Sequence, residues 1–570
     1  MDIAGLTVGA VALIGTFKDC IDLYSMISAA RSLGKDAALL ETKLDVEKML
    51  FFQWADRIGL VKPKEWDKRL DDEALNETVA GVLSSIKTLL GEGKALQTRY
   101  GLERRDLSIN KTSFTGVDLP KASTLRMERF LRNFEKLNLS RSTPDGGTET
   151  KSFKVKDRWC WVVRDKDKFE QLIQELFYFN SRLDTLVPDN NNARSTLTLT
   201  EEDLTDIRSI PRLKLILKAA PGIPYVLEAV KRAIRAANQD RVLQRLWFRR
   251  IDDRRETVSG AHAGTLSWAL DPPNQALEWD DLCDWLREEN SGIYWLAGKA
   301  GSGKSTLMKY LLGHSRTQEL LKEWAAASGL TVIDFFFYHL GVPEQKSQEG
   351  LFRGLLYQVF TQHRDLIEAS MPNMWQEALA TENDPKGEIS MPSAREMQAR
   401  LLNCAKGQSW KLFLFIDGLD EYDGRSMDAA AFIEELGKLD GVKILVSSRF
   451  LPEFVAAFQG KPKMKLQDLT RRDIETYVND TITHDPYMVN LAMEDPSGPK
   501  ELVWDLVSKS SGVFLWVVLA CRPVLEGFAA FDNISDLKAR VHELPPELED
   551  LFRHMLHGID PRRRRKFALS

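Results

Sequence analysis

The sequence predicts a multidomain protein: an all-α helical bundle at the N-terminus, a central α/β domain built on a parallel sheet, and an all-α helical region after it. Three observations carry this. Apolar residues recur at three- and four-residue spacing through residues 1 to about 186, the period of an α-helix. Between residues 290 and 450, short continuous apolar runs alternate with helical patterns, as in a parallel sheet buried on both faces. From 451 to 570 the helical period returns. A chain of 570 residues has room for roughly three or four domains. We place them at 1–190, 191–259 (a linker with connecting helices), 260–450 and 451–570.

The first helix opens on Ile3 to Phe17, an apolar run without charge and rich in small residues. Asp2 precedes it, where a secretory signal would carry positive charge. The run is shorter than the ~20 residues a bilayer span needs. Lys18-Asp19 interrupts it, and an amphipathic pattern continues through Ile21, Leu23, Tyr24 and Ile27. We read a helix that is buried at rest. Gly5 and Gly9 give the G-x-x-x-G spacing that permits close helix packing. Residues 36–60 repeat Leu40, Leu44, Met49, Phe52 and Ile58 at helical spacing, and residues 75–100 and 125–139 behave similarly. Thr143-Pro144-Asp145-Gly146-Gly147 marks a loop. Residues 165–186 place Phe169, Leu172, Ile173, Leu176 and Phe177 on one side of a helix. Pro188-Asp189-Asn190-Asn191-Asn192 opens a polar linker, and residues 200–245 read as connecting helix.

In the central region Ile293-Tyr294-Trp295-Leu296-Ala297 reads as a strand and Thr306 to Leu312 as a helix. Between them, Gly298-Lys299-Ala300-Gly301-Ser302-Gly303-Lys304-Ser305 matches G-x-x-x-x-G-K-[ST] at every fixed position. The flanking strand and helix argue against an accidental match in a Gly-rich turn. Glycines let such a loop curl so that backbone N–H groups point at phosphate oxygens, and the helix start adds partial positive charge. Candidate nucleotide-binding residues are Gly298, Lys299, Ala300, Gly301, Ser302, Gly303, Lys304, Ser305 and Thr306. Lys304 can reach the β- and γ-phosphates, and the Ser305 hydroxyl can ligate Mg²⁺.

A second apolar run, Lys411-Leu412-Phe413-Leu414-Phe415-Ile416, ends in Asp417-Gly418-Leu419-Asp420-Glu421. An aspartate at the end of a central strand lies at the edge where α/β sheets bind ligands. Asp417 is therefore the Mg²⁺ partner candidate, direct or through water. Asp420 and Glu421 are candidates to position or polarise an attacking water. A third run, Val442 to Arg449, reads as a buried strand with a polar tip. Arg449 either reaches the γ-phosphate or closes the strand as a surface arginine, and the residues leave both readings open.

The C-terminal region carries helix at residues 473–480 and 512–530. Val513 to Cys521 is too short to span a membrane, and Arg522-Pro523 ends it, so we read a buried helix. Arg562-Arg563-Arg564-Arg565-Lys566 is a localisation signal, an anionic-lipid patch or a solvated helix start. Composition excludes more than it assigns. The apolar fraction of 43% and charged fraction of 28% are ordinary for a globular protein. A net charge of -5 gives no reason to propose nucleic acid. The five cysteines stand singly, which indicates neither a zinc site nor a disulfide framework and fits a reducing, cytoplasmic setting. His554 and His557 lie three apart on a helix without further ligands nearby.

With these residues in hand a resemblance can be stated. Gly298 to Ser305, the Asp417 to Glu421 turn and the Ser447-Ser448-Arg449 tip resemble the NACHT class of signal-transduction (STAND) NTPases, in its fungal nephrocystin-like branch. Gly264-Thr265-Leu266-Ser267-Trp268-Ala269-Leu270 resembles the lead-in of such domains. Gly512-Val513-Phe514-Leu515-Trp516-Val517 is similar to a segment that follows their core. Gly9 to Cys20, Gly34 and Leu44 to Trp54 resemble the fungal HeLo domain, the helical module of prion-linked heterokaryon incompatibility proteins. The resemblance implies a fungal NOD-like receptor. Such a protein holds ADP at rest, exchanges it for ATP with Mg²⁺, self-associates through the nucleotide domain, and releases a HeLo effector that acts on membranes in programmed cell death. GTP in place of ATP stays open. Receptors of this class carry a C-terminal repeat sensor, whereas this sequence runs to Ser570 with no fixed-period repeat. Sensing is then left to a separate partner or to a longer chain. The implied location is cytoplasmic, with relocation to membrane on activation. Two other readings compete. A metabolic P-loop kinase would need a lid and a second substrate pocket, for which no segment is suited. A scaffold or membrane effector with slow or vestigial NTPase activity is the other, although intact Lys304, Ser305 and Asp417 argue for retained nucleotide binding.

Overall fold

The computed structural model describes residues 8–28, 31–32, 37–61, 65–106, 159–188, 204, 209–220, 223–271, 279–289, 291–381 and 387–558. The expected helix over 125–139, the loop over 143–147, linker residues 189–192, the basic run 562–566, and the start of the apolar terminus with Gly5 lie outside them. The chain divides into two compact units: residues 1–240 with 379–387, and residues 241–378 with 388–570.

The first unit is built on helices α1 (Val8–Ser28), α2 (Ala37–Arg57), α3 (Glu73–Gly91) and α4 (Lys166–Leu186). Asp72 starts α3 by accepting from Leu75 N–H, and Asp165 starts α4 by accepting from Lys168 N–H. One core joins Leu13, Phe17, Ile21 and Tyr24 of α1 to Phe51 and Phe52 of α2, Leu83 and Ile86 of α3, and Leu172 and Leu176 of α4. The Phe17 and Phe51 rings lie 5.1 Å apart. The apolar first helix is thus a core element in its described part. Gly9 lets α1 approach α3, since a Cβ there would sit 3.3 Å from Asn76 Oδ1. A second face of α2, with Val46 and Met49, packs against α5 (Ile210–Ala219) and the first part of α6 (Pro224–Leu246) through Leu213, Ile216, Val226 and Val230.

Three short strands add to this helical layout: β1 (Arg31–Ser32), β2 (Leu102–Asp106) and β3 (Trp159–Val163). β3 lies in the middle, parallel to β1 and antiparallel to β2. They are too short to outweigh the helical period around them. The aromatic and β-branched run Trp159-Cys160-Trp161-Val162-Val163 is their one compositional trace.

The second unit holds a five-stranded sheet: β4 (Gly292–Ala297), β5 (Gly329–Phe336), β6 (Trp410–Asp417), β7 (Val442–Ser448) and β8 (Lys463–Lys465). The strands lie in the order β5-β6-β7-β4-β8, and all are parallel. Ile293 and Trp295 of β4 face one core with Leu414 and Val446, while Tyr294 and Leu296 face the other with Phe413 and Leu445. Helices cover both faces, which is why the strands read as continuous apolar runs. β8 falls in the stretch expected to be helical, because three residues are too few to carry a period.

Lys443 interrupts β7 and is fully buried. Its ammonium donates to the carbonyls of Leu286 (3.1 Å), Glu288 (2.8 Å) and Trp285, at the end of the helix Leu282–Arg287. The rings of Trp285 and Trp324 flank it at 5.1 and 4.9 Å. Burial pushes its pKa down to about 7. Lys443→Met should keep the packing and leave those carbonyls without a donor. Removing a buried charge offsets part of that loss, so we expect about 1–2 kcal/mol of destabilisation in a urea titration.

Helices α8 (Arg471–Val478), α9 (Gly498–Ser510), α10 (Phe514–Ala529), α11 (Ile534–Glu543) and α12 (Leu548–Gly558) surround a further core that includes Ile474, Leu506, Trp516, Val517 and Leu537. α10 matches the helix expected over 512–530, and Arg522-Pro523 ends only its unbroken apolar run. It runs through Pro523, because Val524 and Phe528 are buried beyond it and outweigh the roughly 3 kcal/mol penalty of an internal proline. In the lead-in segment Leu266 takes a left-handed φ of 65°. Leu266 N–H and Trp268 Nε1 both donate to Asp473 Oδ2 of α8, at 3.2 and 2.8 Å.

Candidate functional site

The carboxyl ends of β4, β6 and β7 meet at one edge, with Ala297 opposite Ser448 and Ile416 opposite Val446. From Ala297 the chain turns through residues 298–303 into α7 (Lys304–Gly313). Gly301 and Gly303 have φ of 72° and 99°, a region that favours glycine. A Cβ on Gly298 would sit 2.6 Å from Ser302 Oγ. The loop is tied to β7 by the bond from Gly298 N–H to Ser448 O at 3.2 Å.

Lys304 opens α7, and its ammonium folds back to donate to Gly298 O and Lys299 O, both at 3.0 Å. Burial pushes its pKa down, against the pull of Asp420 and Asp417. Asp417, at the end of β6, is buried. Its Oδ1 accepts from Ser447 Oγ at 2.6 Å. Its Oδ2 lacks a partner of good hydrogen-bond geometry among the described residues. Burial pushes this carboxyl above its ordinary value, opposed by the hydroxyls of Ser305 and Ser447 and by Lys304. Asp420 accepts from Arg449 N–H at 3.0 Å and pairs with Arg449 Nε at 2.9 Å.

The structure therefore brings Lys304, Ser305, Asp417, Asp420 and Arg449 together. Glu421 is drawn toward the end of β5, where Oε2 accepts from His339 N–H at 2.9 Å. Lys299 and Ala300 are exposed at the crest of the loop, and Thr306 lies half-buried in the first turn of α7. Among the described residues, the buried Ser302 Oγ and Asp417 Oδ2 lack a hydrogen-bond partner of good geometry. A curled loop with a half-buried ammonium fits a phosphate group. A hydroxyl beside a carboxylate oxygen fits a hard divalent cation.

Two features were missed in the sequence. Ser447 accepts from Gly418 N–H at 2.8 Å and donates to Asp417, so it fixes the acidic turn. The pair of serines that closes the strand was the available signal. The second is the cover over Gly301. Leu515 N–H donates to Gly301 O at 2.9 Å. A Cβ on Gly301 would lie 3.0 Å from both Leu515 and Leu548 side chains. No local pattern announces a contact so distant in sequence.

Comparisons with known proteins follow this division. Residues 5–216 match the HeLo family, described as prion-inhibition and propagation. Residues 265–449 match the family described as nephrocystin 3, N-terminal. The chain is 20% identical over 221 residues to the heterokaryon incompatibility protein s of Podospora anserina, a stretch covering 38% of this chain and 70% of that protein. Among solved structures it is similar to the HET-s N-terminal domain, with 16% identity, a TM-score of 0.26, and coverage of 39% of this chain and 97% of that one. A double mutant of the same domain gives 15% identity, a TM-score of 0.25 and coverage of 39% and 98%. Among the described residues no helix is long and apolar enough to cross a membrane. The chain thus pairs an N-terminal match to the HeLo family with a nephrocystin-like match, which is consistent with a fungal HeLo-containing protein similar to NOD-like receptors.

Proposed function

We propose that the chain is a nucleotide-switched signalling NTPase whose HeLo domain is the effector in a fungal incompatibility or immune-like cell-death response. The observation that supports this reading is the gathering of Lys304, Ser305, Asp417, Asp420 and Arg449 around the residue 298–303 loop at the carboxyl edge of the sheet. Backbone N–H groups of the loop and Lys304 would hold the phosphates of ATP or ADP. Ser305 and Asp417 would hold Mg²⁺, which neutralises developing charge on the phosphates when bound. Ser447 holds Asp417 in place. Asp420 fixes Arg449 at the tip of β7, within the electrostatic reach of Lys304. Exchange of ADP for ATP would then drive self-association through this domain and bring the HeLo domains together at a membrane.

The carboxylates should separate by role. Asp417→Asn is expected to weaken Mg²⁺-dependent binding several-fold, because a metal partner loses its charge. Glu421→Gln keeps an oxygen to accept from His339 N–H and should preserve affinity while slowing hydrolysis at least tenfold, because the water loses its base. Filter binding and phosphate release read the two effects. Slow hydrolysis in Asp420→Asn with normal Glu421→Gln would move the base one residue back. The whole proposal is tested by sizing the chain and measuring liposome leakage with ADP and with a non-hydrolysable ATP analogue. A larger assembly and leakage with the analogue alone support the switch. The same size and leakage with either nucleotide favour an effector whose NTPase is vestigial.

A further inference from the structure

The groove between α2 and α4 carries a site that the nucleotide reading does not use. Glu47, Leu50, Trp54 and Arg57 recur at three- and four-residue steps along α2, and Phe177, Asn180 and Asp184 do so along α4. The two stripes line one half-open cavity of about 140 Å³, bounded on another side by Ile223 and Tyr225. One water needs roughly 10–15 Å³, and a cavity near 150 Å³ admits a benzene-sized molecule.

The charge of this cavity is unbalanced. Glu47 is 6% exposed and accepts from Asn180 Nδ2 at 2.8 Å. It has no ion-pair partner among the described residues. The cation on the wall, Arg57, is engaged by Asp184 Oδ1 at 2.7 Å and Val187 O at 2.9 Å. Burial pushes the Glu47 carboxyl up to about 7, as expected of a carboxylate without a compensating cation. Among the described residues, the buried acceptor Asn180 Oδ1 and the buried donor Arg57 Nε lack a partner of good hydrogen-bond geometry. Trp54, Phe177 and Tyr225 supply aromatic rings to the same wall, and ring faces attract cations. An anionic ligand would meet Glu47 and is disfavoured.

We propose that this cavity binds a small organic ammonium ion, its cationic head beside Glu47 and its alkyl groups against the rings of Trp54, Phe177 and Tyr225. The test is calorimetric titration of the full chain with choline and with its neutral carbon isostere dimethylbutanol, at matched ionic strength. Choline should bind at least tenfold more tightly than the isostere. Glu47→Gln retains an oxygen for Asn180 and should erase that preference. Phe177 is 51% exposed, so Phe177→Ala keeps the bundle folded and should weaken choline several-fold. Phosphatidylcholine vesicles that displace choline would assign the site to a lipid headgroup, and vesicles that do not displace it would assign it to the free ion. Either result keeps the proposal. Equal binding of the isostere, no binding of choline or of propylammonium, or wild-type affinity in both variants overturns it.

Discussion

Liposome leakage by the full chain with a non-hydrolysable ATP analogue is expected to fall roughly a hundredfold in the Val11→Lys protein. A charge at the centre of a lipid-inserted helix costs roughly 2.5–3.5 kcal/mol, and about 1.4 kcal/mol is tenfold. Val11 is half-buried, whereas Ala10, Leu13, Ile14 and Phe17 form the core stripe of α1. A lysine there can lay its stem along the surface and keep its ammonium in water. Circular dichroism should therefore match wild type. Wild-type leakage from the mutant, or none from the wild type under any condition that assembles it, leaves α1 a core helix and removes the effector reading. Burial also sets the scale of the transition. Leu13, Ile14, Phe17, Ile21, Tyr24 and Ile27 are all buried. At roughly 1.5–3 kcal/mol per side chain, withdrawing α1 costs roughly 10–20 kcal/mol, the size of a domain's whole stability. α1 cannot enter a membrane while the bundle stands, so membrane action requires the bundle to open.

Lys304→Ala should weaken the binding of labelled ATP or ADP ten- to hundredfold, about 1.4–2.7 kcal/mol. The substitution removes a mobile cation and leaves the backbone cradle. The fold should survive it. Gly301 and Gly303 set the curl of the loop, and the Lys304 ammonium contributes only two bonds to carbonyls of that loop. Filter binding on a mutant with an unchanged thermal transition checks this. Equal affinity in that protein would sink the phosphate-binding assignment.

The parts legible in the sequence were those with a strong period or a fixed spacing. The buried strands β4, β6 and β7 stood out because both faces are covered, which removes polar residues from the run. The residue 298–305 loop was legible because its φ values demand glycine at fixed places. Asp165 marked the start of α4 by its capping side chain. What stayed hidden was non-local or brief. β8 is three residues long, and β1 two. The sequence named Glu421 as a water-positioning candidate but could not place it against His339, which lies beyond a different strand. The Glu47 cavity was hidden for a similar reason. Its stripes are ordinary amphipathic spacing until α2 and α4 are set side by side.

The bond from Leu515 N–H to Gly301 O makes the loop answerable to helices whose sequence lies far beyond it. Thermodynamic reciprocity then applies in both directions. Binding at the loop that shifts Gly301 would change the seating of α10 and α12 by some factor, of either sign. Whatever pulls on α10 or α12 from outside changes the loop's affinity by that same factor. If the loop holds nucleotide as proposed, a disturbance of residues 513–548 is expected to change how tightly it does so.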